Sequence, residues 1–291
     1  MPEHLHFWGR VYRPIVRRLG RWYRSSRYSE SYAATLRPGS LVVHQQSIQL
    51  PGLPAALHGL RIAQFSDLHL GCFVRGVDGA QVAAQLNALQ ADVIVFTGDL
   101  VDFTSYPRNG TSPDIDTTLN ALHAKLGVFA VLGNHDYFAG VDAVAAALAR
   151  NGVTVLRNSG AALQVGGAQL WLAGVDCAQL GFANLPAALA AAPADAPVVL
   201  LAHEPDYADE VAADGRIALQ LSGHSHGGQL RITGLGPVKH TRMGRKYVLG
   251  LHRVGGMWLY VNPGVGAAML PLRRNCPPEI TVITLTGEQR A

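Results

Sequence analysis

Two periodicities divide the chain near residue 40. Before it, apolar residues recur every three or four positions: Leu5, Trp8, Tyr12, Ile15, Leu19 and Trp22. Arg10, Arg13, Arg17, Arg21 and Arg24 keep the same spacing. At about 100° per residue the two sets occupy opposite faces of a helix. Pro14 either kinks that helix or opens a second one as its first residue. After residue 40 short apolar runs of strand length take over. They predict strands at 60–65, 93–96, 128–132, 153–156, 162–165, 169–173, 197–202 and 217–221, then at 247–251, 257–261 and 279–285. Residues 41–43 read as an edge strand with a loop behind it, and 104–113 as a loop. Helical spacing predicts helices at 78–90, 114–125, 142–150 and 185–191. The run Val93-Ile94-Val95-Phe96 has no polar position, as a strand in a sheet covered on both faces requires.

Polar residues cluster where these apolar runs stop. Five blocks follow five predicted strands: Ser66-Asp67-Leu68-His69, Thr97-Gly98-Asp99, Gly133-Asn134-His135-Asp136, His203-Glu204, and Ser222-Gly223-His224-Ser225-His226. Strand C-termini are where α/β sheets place their ligand crevices. Asp67 and His69 are two apart, so an extended backbone points both to one side, and His224 and His226 repeat that spacing. Each block alone reads as a polar turn. Together they gather five of the twelve histidines with Asp67, Asp99 and Asn134. Seven candidate ligands (Asp67, His69, Asp99, Asn134, His203, His224, His226) exceed the four that one zinc needs. They suit two metals sharing a carboxylate, and ions roughly 3.5–4 Å apart can hold a bridging hydroxide and clamp phosphoryl oxygens. Nitrogen and oxygen donors without cysteine favour manganese first, then iron or zinc, over magnesium or calcium.

Charge separates the two parts again. Residues 1–37 hold eight arginines against two glutamates, a surplus of six. Since the whole chain carries +4, the remainder carries −2. Trp and Tyr on one face and Arg on the other is the make-up of a helix lying in an anionic membrane interface, through residues 1–30. Packing on the protein's own body or on a second subunit would use the same amphipathicity. Nucleic acid is disfavoured, because the aromatics do not interleave with the arginines. Arg17-Arg18 has no apolar run after it, so an export signal is not expected, nor is a membrane span. Cys72, Cys177 and Cys276 are widely spaced, which points to neither a disulfide framework nor a zinc knuckle and fits a reducing compartment.

The order D-x-H, G-D, G-N-H-D, H, G-H-x-H over residues 58–285 resembles the calcineurin-like metallophosphoesterases. The resemblance implies a four-layer α/β/β/α sandwich over residues 41–291, preceded by the amphipathic segment 1–40. It implies a first metal on Asp67, His69 and His226, a second on Asn134, His203 and His224, and Asp99 bridging them. His135 would contact the phosphate or protonate the leaving oxygen, oriented by Asp136. The words GDLVD, GNHDYF, HEPD and GHSHGGQ, with the ending YVNPGVG…PLRRNCPPEI, resemble a bacterial branch. That branch includes twin-arginine-exported phosphodiesterases and a pyrophosphatase of UDP-2,3-diacylglucosamine. The expectation is therefore a hydrolase of a phosphodiester or pyrophosphate bond using a metal-bridged hydroxide. Its substrate would be lipid-linked, and it would sit in the cytoplasm on the inner face of the membrane. A soluble nucleotide phosphodiesterase and a non-enzymatic metal-bound scaffold are the rivals. Arg242, Arg273 and Arg274 are candidates for a second phosphate, or else ordinary solvated charge.

Overall fold

A computed structural model describes residues 14–287 of the chain except 24, 29, 72, 103–112 and 239. Leu5, Trp8, Tyr12, Arg10, Arg13, Arg24 and Cys72 thus lie outside the described residues, as does most of the expected loop 104–113. Among those described, two six-stranded sheets stack face to face. The first has the order β1 (Val42–Gln49), β14 (Glu279–Thr286), β2 (Arg61–Phe65), β3 (Val93–Phe96), β4 (Val128–Ala130), β5 (Val153–Val155). The second runs β12 (Gly250–Val254), β13 (Met257–Val261), β9 (Ile217–Ser222), β8 (Val198–Leu201), β7 (Ala168–Gly174), β6 (Ser159–Val165).

Alternation along each strand decides which layer it feeds. Val93, Val95, Phe129 and Val131 face Val199, Leu201, Leu219 and Leu221 in the core between the sheets. Their neighbours Ile94, Phe96 and Ala130 point the other way, to a second core. That core is covered by α2 (Gly76–Ala88), α3 (Pro113–Leu119) and α4 (Asn134–Arg150). Val198 and Leu200 face α5 (Leu185–Leu189) and α6 (Ala208–Val211) on the opposite side. The wholly apolar strands are thus explained by burial on both faces, and the layers are α/β/β/α, as expected. Truncating one such core side chain to alanine costs about 2–5 kcal/mol.

Several elements differ from the sequence reading: α3 ends at Leu119 rather than 125, and β12 begins at Gly250 rather than 247. β1 continues to Gln49 where a loop was expected after residue 43, because its polar residues pair in parallel with β14 along a mostly exposed edge. α4 begins at Asn134, two turns before the expected start, with an interruption at Gly140 (φ 122). Its first turn is held by Asp136, whose carboxylate accepts the Gly133 N–H at 3.0 Å. A hairpin of β10 (Arg231–Ile232) and β11 (Gly236–Pro237) was not anticipated.

Residues 14–23 are helical (α1), but the face that packs is not the expected stripe. Val16 and Tyr23 are buried in the outer core of the first sheet, with the Tyr23 ring edge-on to Phe73 at 5.4 Å. Leu19 packs partly against the same core. Ile15 and Trp22 remain 59% and 56% exposed. The predicted stripe is centred roughly 90° from the packed face, so one helix buries one side and leaves a second apolar edge in solvent.

Candidate metal centre

The parallel strands β2, β3 and β4 end level with one another, since Phe65 pairs with Phe96 and Phe96 with Ala130. The loops beyond them run side by side. The Asp67 N–H donates to Gly98 O (2.9 Å) and the His69 N–H to Asp99 O (3.1 Å). From the second sheet, β8 and β9 deliver His203, His224 and His226 to the same crevice. The Gly223 N–H donates to His203 O at 3.0 Å.

The two-apart pairs converge by a different route from the one expected. Asp67 and His69 have φ 50, His224 and His226 φ 65 and 54, and Asp99 φ 60. Five of the seven candidate ligands therefore stand in left-handed backbone, which costs a non-glycine residue about 1–3 kcal/mol. Extended geometry ends with the strands, and alternating left-handed turns aim the side chains. Such strain persists where tertiary packing over-determines it, as at a site.

Three groups of ligand atoms result among the described residues. Asp67, His69 and His226 form the first, Asp99, His203 and His224 the second, and His69 recurs with Asp102 and His135 in a third. In the first, His69 Nε2 lies 3.0 Å from His226 Nε2, and Asp67 Oδ1 is 3.4 Å from His226 Nε2. In the second, His224 Nδ1 lies 3.1 Å from His203 Nε2, which is 3.3 Å from Asp99 Oδ2. The same Asp99 oxygen is 3.7 Å from His69 Nε2, so it stands between the groups. Asn134 is buried beside them, and its Oδ1 has no hydrogen-bond partner, nor has Asp67 Oδ1.

Outer contacts assign the tautomers. His203 Nδ1 meets Thr97 O at 2.7 Å and His224 Nε2 meets Arg242 O at 2.6 Å. A carbonyl can only accept, so these nitrogens carry the protons. The lone pairs of His203 Nε2 and His224 Nδ1 then face each other at 3.1 Å, an arrangement that requires a proton or a metal ion between them and Asp99. Two nitrogens about 2.1 Å from one ion would be about 3.0–3.4 Å apart, so the spacing fits a divalent ion in the first and second groups. Unsatisfied Asp67 and Asn134 oxygens add hard donors of the same kind.

Electrostatics distinguishes the groups. Burial, with neighbouring His135, holds His69 well below the ordinary imidazole pKa, and burial with Arg273 does so for His226. Burial opposes the His203 cation too, but the Asp99 carboxylate outweighs it and keeps that pKa well above the ordinary value. Burial likewise opposes Asp99 ionisation, and His203 overcomes it.

His135 is only half-buried, and its ring meets His69 edge-on at 4.5 Å. Its main-chain N–H donates to Asp99 Oδ1 at 2.8 Å. Both Asp136 oxygens accept main-chain N–H groups, from Asp99 (2.9 Å), Gly133 (3.0 Å) and Val101 (3.2 Å). This carboxylate ties the Asp99 loop to the Asn134 helix. Burial and then the Asp99 charge push it up to about 7, against the pull of those donors.

The three candidate arginines separate. Arg242 touches the centre through its carbonyl while its side chain is exposed, and Arg274 is exposed. The Arg273 guanidinium donates to Gly266 O (2.7 Å), Pro263 O (2.8 Å) and Tyr32 Oη (3.2 Å). It also lies 3.4 Å from His226 Nδ1. Its donors clasp the loop beside a candidate ligand and join it to the N-terminal segment.

Sequence reasoning passed over Asp102 and Gln64. Asp102 is buried 3.9 Å from His69 Nδ1, and the G-D-x-x-D spacing was the available signal. Gln64 Nε2 donates to Ser222 O (2.9 Å) and Thr97 Oγ1 (3.2 Å), crossing from one sheet to the other. A glutamine inside an otherwise apolar strand was the only hint of it.

The model of the calcineurin-like phosphoesterase family matches residues 60–228. The chain is 34% identical over 256 residues to the uncharacterized metallophosphoesterase YkuE of Bacillus subtilis, covering 87% of this chain and 88% of that one. It is 32% identical over 228 residues to the phosphodiesterase YaeI of Escherichia coli, covering 77% and 82%. A transmembrane protein with metallophosphoesterase domain from Danio rerio is 33% identical over 253 residues, which is 82% of this chain and 56% of that protein.

Proposed function

The chain belongs to the calcineurin-like phosphoesterase family of metal-dependent phosphoester hydrolases, and we propose that its bond is the phosphodiester or pyrophosphate of a lipid-linked substrate. The facing lone pairs of His203 and His224 beside Asp99 carry the metal part of this reading. Asp67, His69 and His226 would hold one ion, and His203, His224 and Asn134 the other, with Asp99 between. Divalent ions bound there supply Lewis acidity, which makes water nucleophilic at neutral pH and neutralises phosphoryl charge. Manganese suits the donors, with iron or zinc next.

The chain's own groups do the rest. Asp136 fixes the Asp99 and Asn134 loops relative to each other. Arg273, which accounts for its donors internally, holds the His226 loop and is not free to bind a second phosphate. His135, the half-exposed member of the set, faces the crevice and donates a proton to the leaving oxygen as the phosphorus–oxygen bond breaks. Water adds to phosphorus in the same displacement.

Ile15 and Trp22, exposed beside Arg18 and Arg21 on α1, support docking to an anionic membrane on its cytoplasmic side. No helix among the described residues is long and apolar enough to cross one. The sequence resemblance to a pyrophosphatase names UDP-2,3-diacylglucosamine as the specific substrate. A soluble phosphodiester is the second reading; the E. coli relative is named a phosphodiesterase, which is in keeping with a diester bond. Metal-stripped protein restored with Mn²⁺ should cleave UDP-2,3-diacylglucosamine in detergent, releasing UMP, in preference to bis-p-nitrophenyl phosphate. Turnover of the simple diester alone would replace the lipid reading with the second one.

A further inference from the structure

The hairpin that follows His226 exposes Ile232, Leu235 and Val238, Leu235 by 81%. The loop 268–272 exposes Met269, Leu270 and Leu272. These two stretches form one body. The Arg231 N–H donates to Arg274 O (3.0 Å), and Gln229 Nε2 donates to Ala268 O (3.1 Å) and Leu270 O (3.0 Å). The platform they make grows directly out of the metal centre, because only the turn His226–Gly228 separates it from a candidate ligand.

Its charge is one-sided. Residues 227–278 contain eight Lys and Arg and no Asp or Glu. The Arg242, Arg245 and Arg274 side chains are exposed there. The same loop is tied to the N-terminal segment, since Tyr32 Oη donates to Val265 O (2.8 Å) and Arg273 Nε to Tyr32 Oη. The Tyr32 N–H in turn donates to Tyr23 Oη of α1 (3.0 Å), so α1 is joined to this loop through Tyr32.

Large exposed aliphatic side chains gathered on one platform mark an interaction surface. Lys246 is paired with Asp209 (2.7 Å), but the exposed arginines of this stretch form no ion pair among the described residues and select an anionic partner. The apolar contacts are aliphatic, without the tyrosine and tryptophan anchors usual at protein–protein hot spots. We propose that hairpin 230–238 and loop 268–272 insert into an anionic lipid bilayer and hold the mouth of the metal centre at its surface. This deepens the lipid-substrate reading and rests on it only for its purpose.

The test is co-flotation of the full chain with vesicles of 30% phosphatidylglycerol in phosphatidylethanolamine, and with pure phosphatidylcholine. The wild-type chain floats with the anionic vesicles, and raising NaCl from 0.1 to 0.5 M weakens binding several-fold. The pairs Ile232→Ser/Leu235→Ser and Leu270→Ser/Leu272→Ser each lower the bound fraction about tenfold with residues 1–30 intact. Both keep bis-p-nitrophenyl phosphate turnover within about twofold, which shows that they fold. Flotation of both variants at the wild-type level overturns the proposal. So does a wild-type dimer that the variants split while none of the proteins floats, since the platform would then cover a second copy. Flotation lost in the variants, with no cleavage of the diacylglucosamine substrate by wild type, keeps the docking surface and discards that substrate.

Discussion

The first sheet brings the carboxylates and the amide to the centre (Asp67, Asp99, Asn134), and the second brings only imidazoles (His203, His224, His226). His69 is the one candidate imidazole ligand from the first sheet. Neither sheet alone offers a carboxylate-and-imidazole set for two ions. The first and second groups of ligand atoms each draw from both, two to one in the first and one to two in the second, whereas His69, Asp102 and His135 all come from the first sheet. Ions bound by these groups would therefore link the two sheets, as staples across the inter-sheet core. The difference also sets the proton balance. The first group holds its imidazoles neutral through burial, whereas the second holds His203 charged through Asp99.

The harshest way to break this division is to remove the carboxylate that serves both groups. Asp99→Asn should lower kcat/KM by more than the 10- to 100-fold typical of an outer-shell partner, on the order of 10³-fold or beyond, and reduce bound metal per chain. Retention of both metals and most activity would mean that Asp99 does not lie between them.

His135→Gln tests the half-buried imidazole proposed as the general acid. Turnover of a substrate with a poor leaving group should fall about 10²-fold, while p-nitrophenyl esters lose much less and metal content stays at wild type. An equal loss on both substrates would remove the general-acid role.

The seam between the sheets can be probed at Gly223. A Cβ there would run into the Ser66 and Asp67 side chains of the opposite half, and one at Gly133 would meet Asp99 and His203. Gly223→Ala should cost about 1–3 kcal/mol by overpacking, seen as a lowered Tm, and weaken the first metal before the second. An unchanged Tm would show that the two halves are not in close contact at this point.

The proton balance gives the smallest effect. Metal must displace the proton that Asp99 keeps on His203, so on acidification the second group should release its ion before the first, read as metal content against pH. The metal-free chain shows the converse. Because the folded His203 pKa is raised, its stabilisation is full below the unfolded value of about 6.5 and fades as pH rises through the folded value. The Tm of chelated protein should therefore fall over that range, and a flat profile would contradict the pairing.

Much of this was readable in residue order. The strands at 93–96 and 198–201 follow from uninterrupted apolar runs, and the ligand blocks follow from polar residues placed where the strands stop. Helix α4 was read short because Asn134-His135-Asp136 resembles a turn until Asp136 is seen holding the Gly133 N–H. Asp67 and His69 reach the crevice through left-handed rather than the expected extended backbone, since local sequence carries no signal for two left-handed residues that only neighbouring loops can hold in place.

By itself the sequence determined the buried strands, the five blocks and the arginine surplus before residue 40, because periodicity and donor chemistry are local properties, while the layering was implied by the family resemblance. Tertiary structure alone decided that His226 meets His69 from 157 positions away. It also decided that Arg273 turns inward, and that α1 buries Val16 and Tyr23 while Ile15 and Trp22 stay in solvent. A pattern of apolar positions shows that a surface will be covered. Only the packing of distant segments determines what covers it, and hence which surfaces are left for a partner.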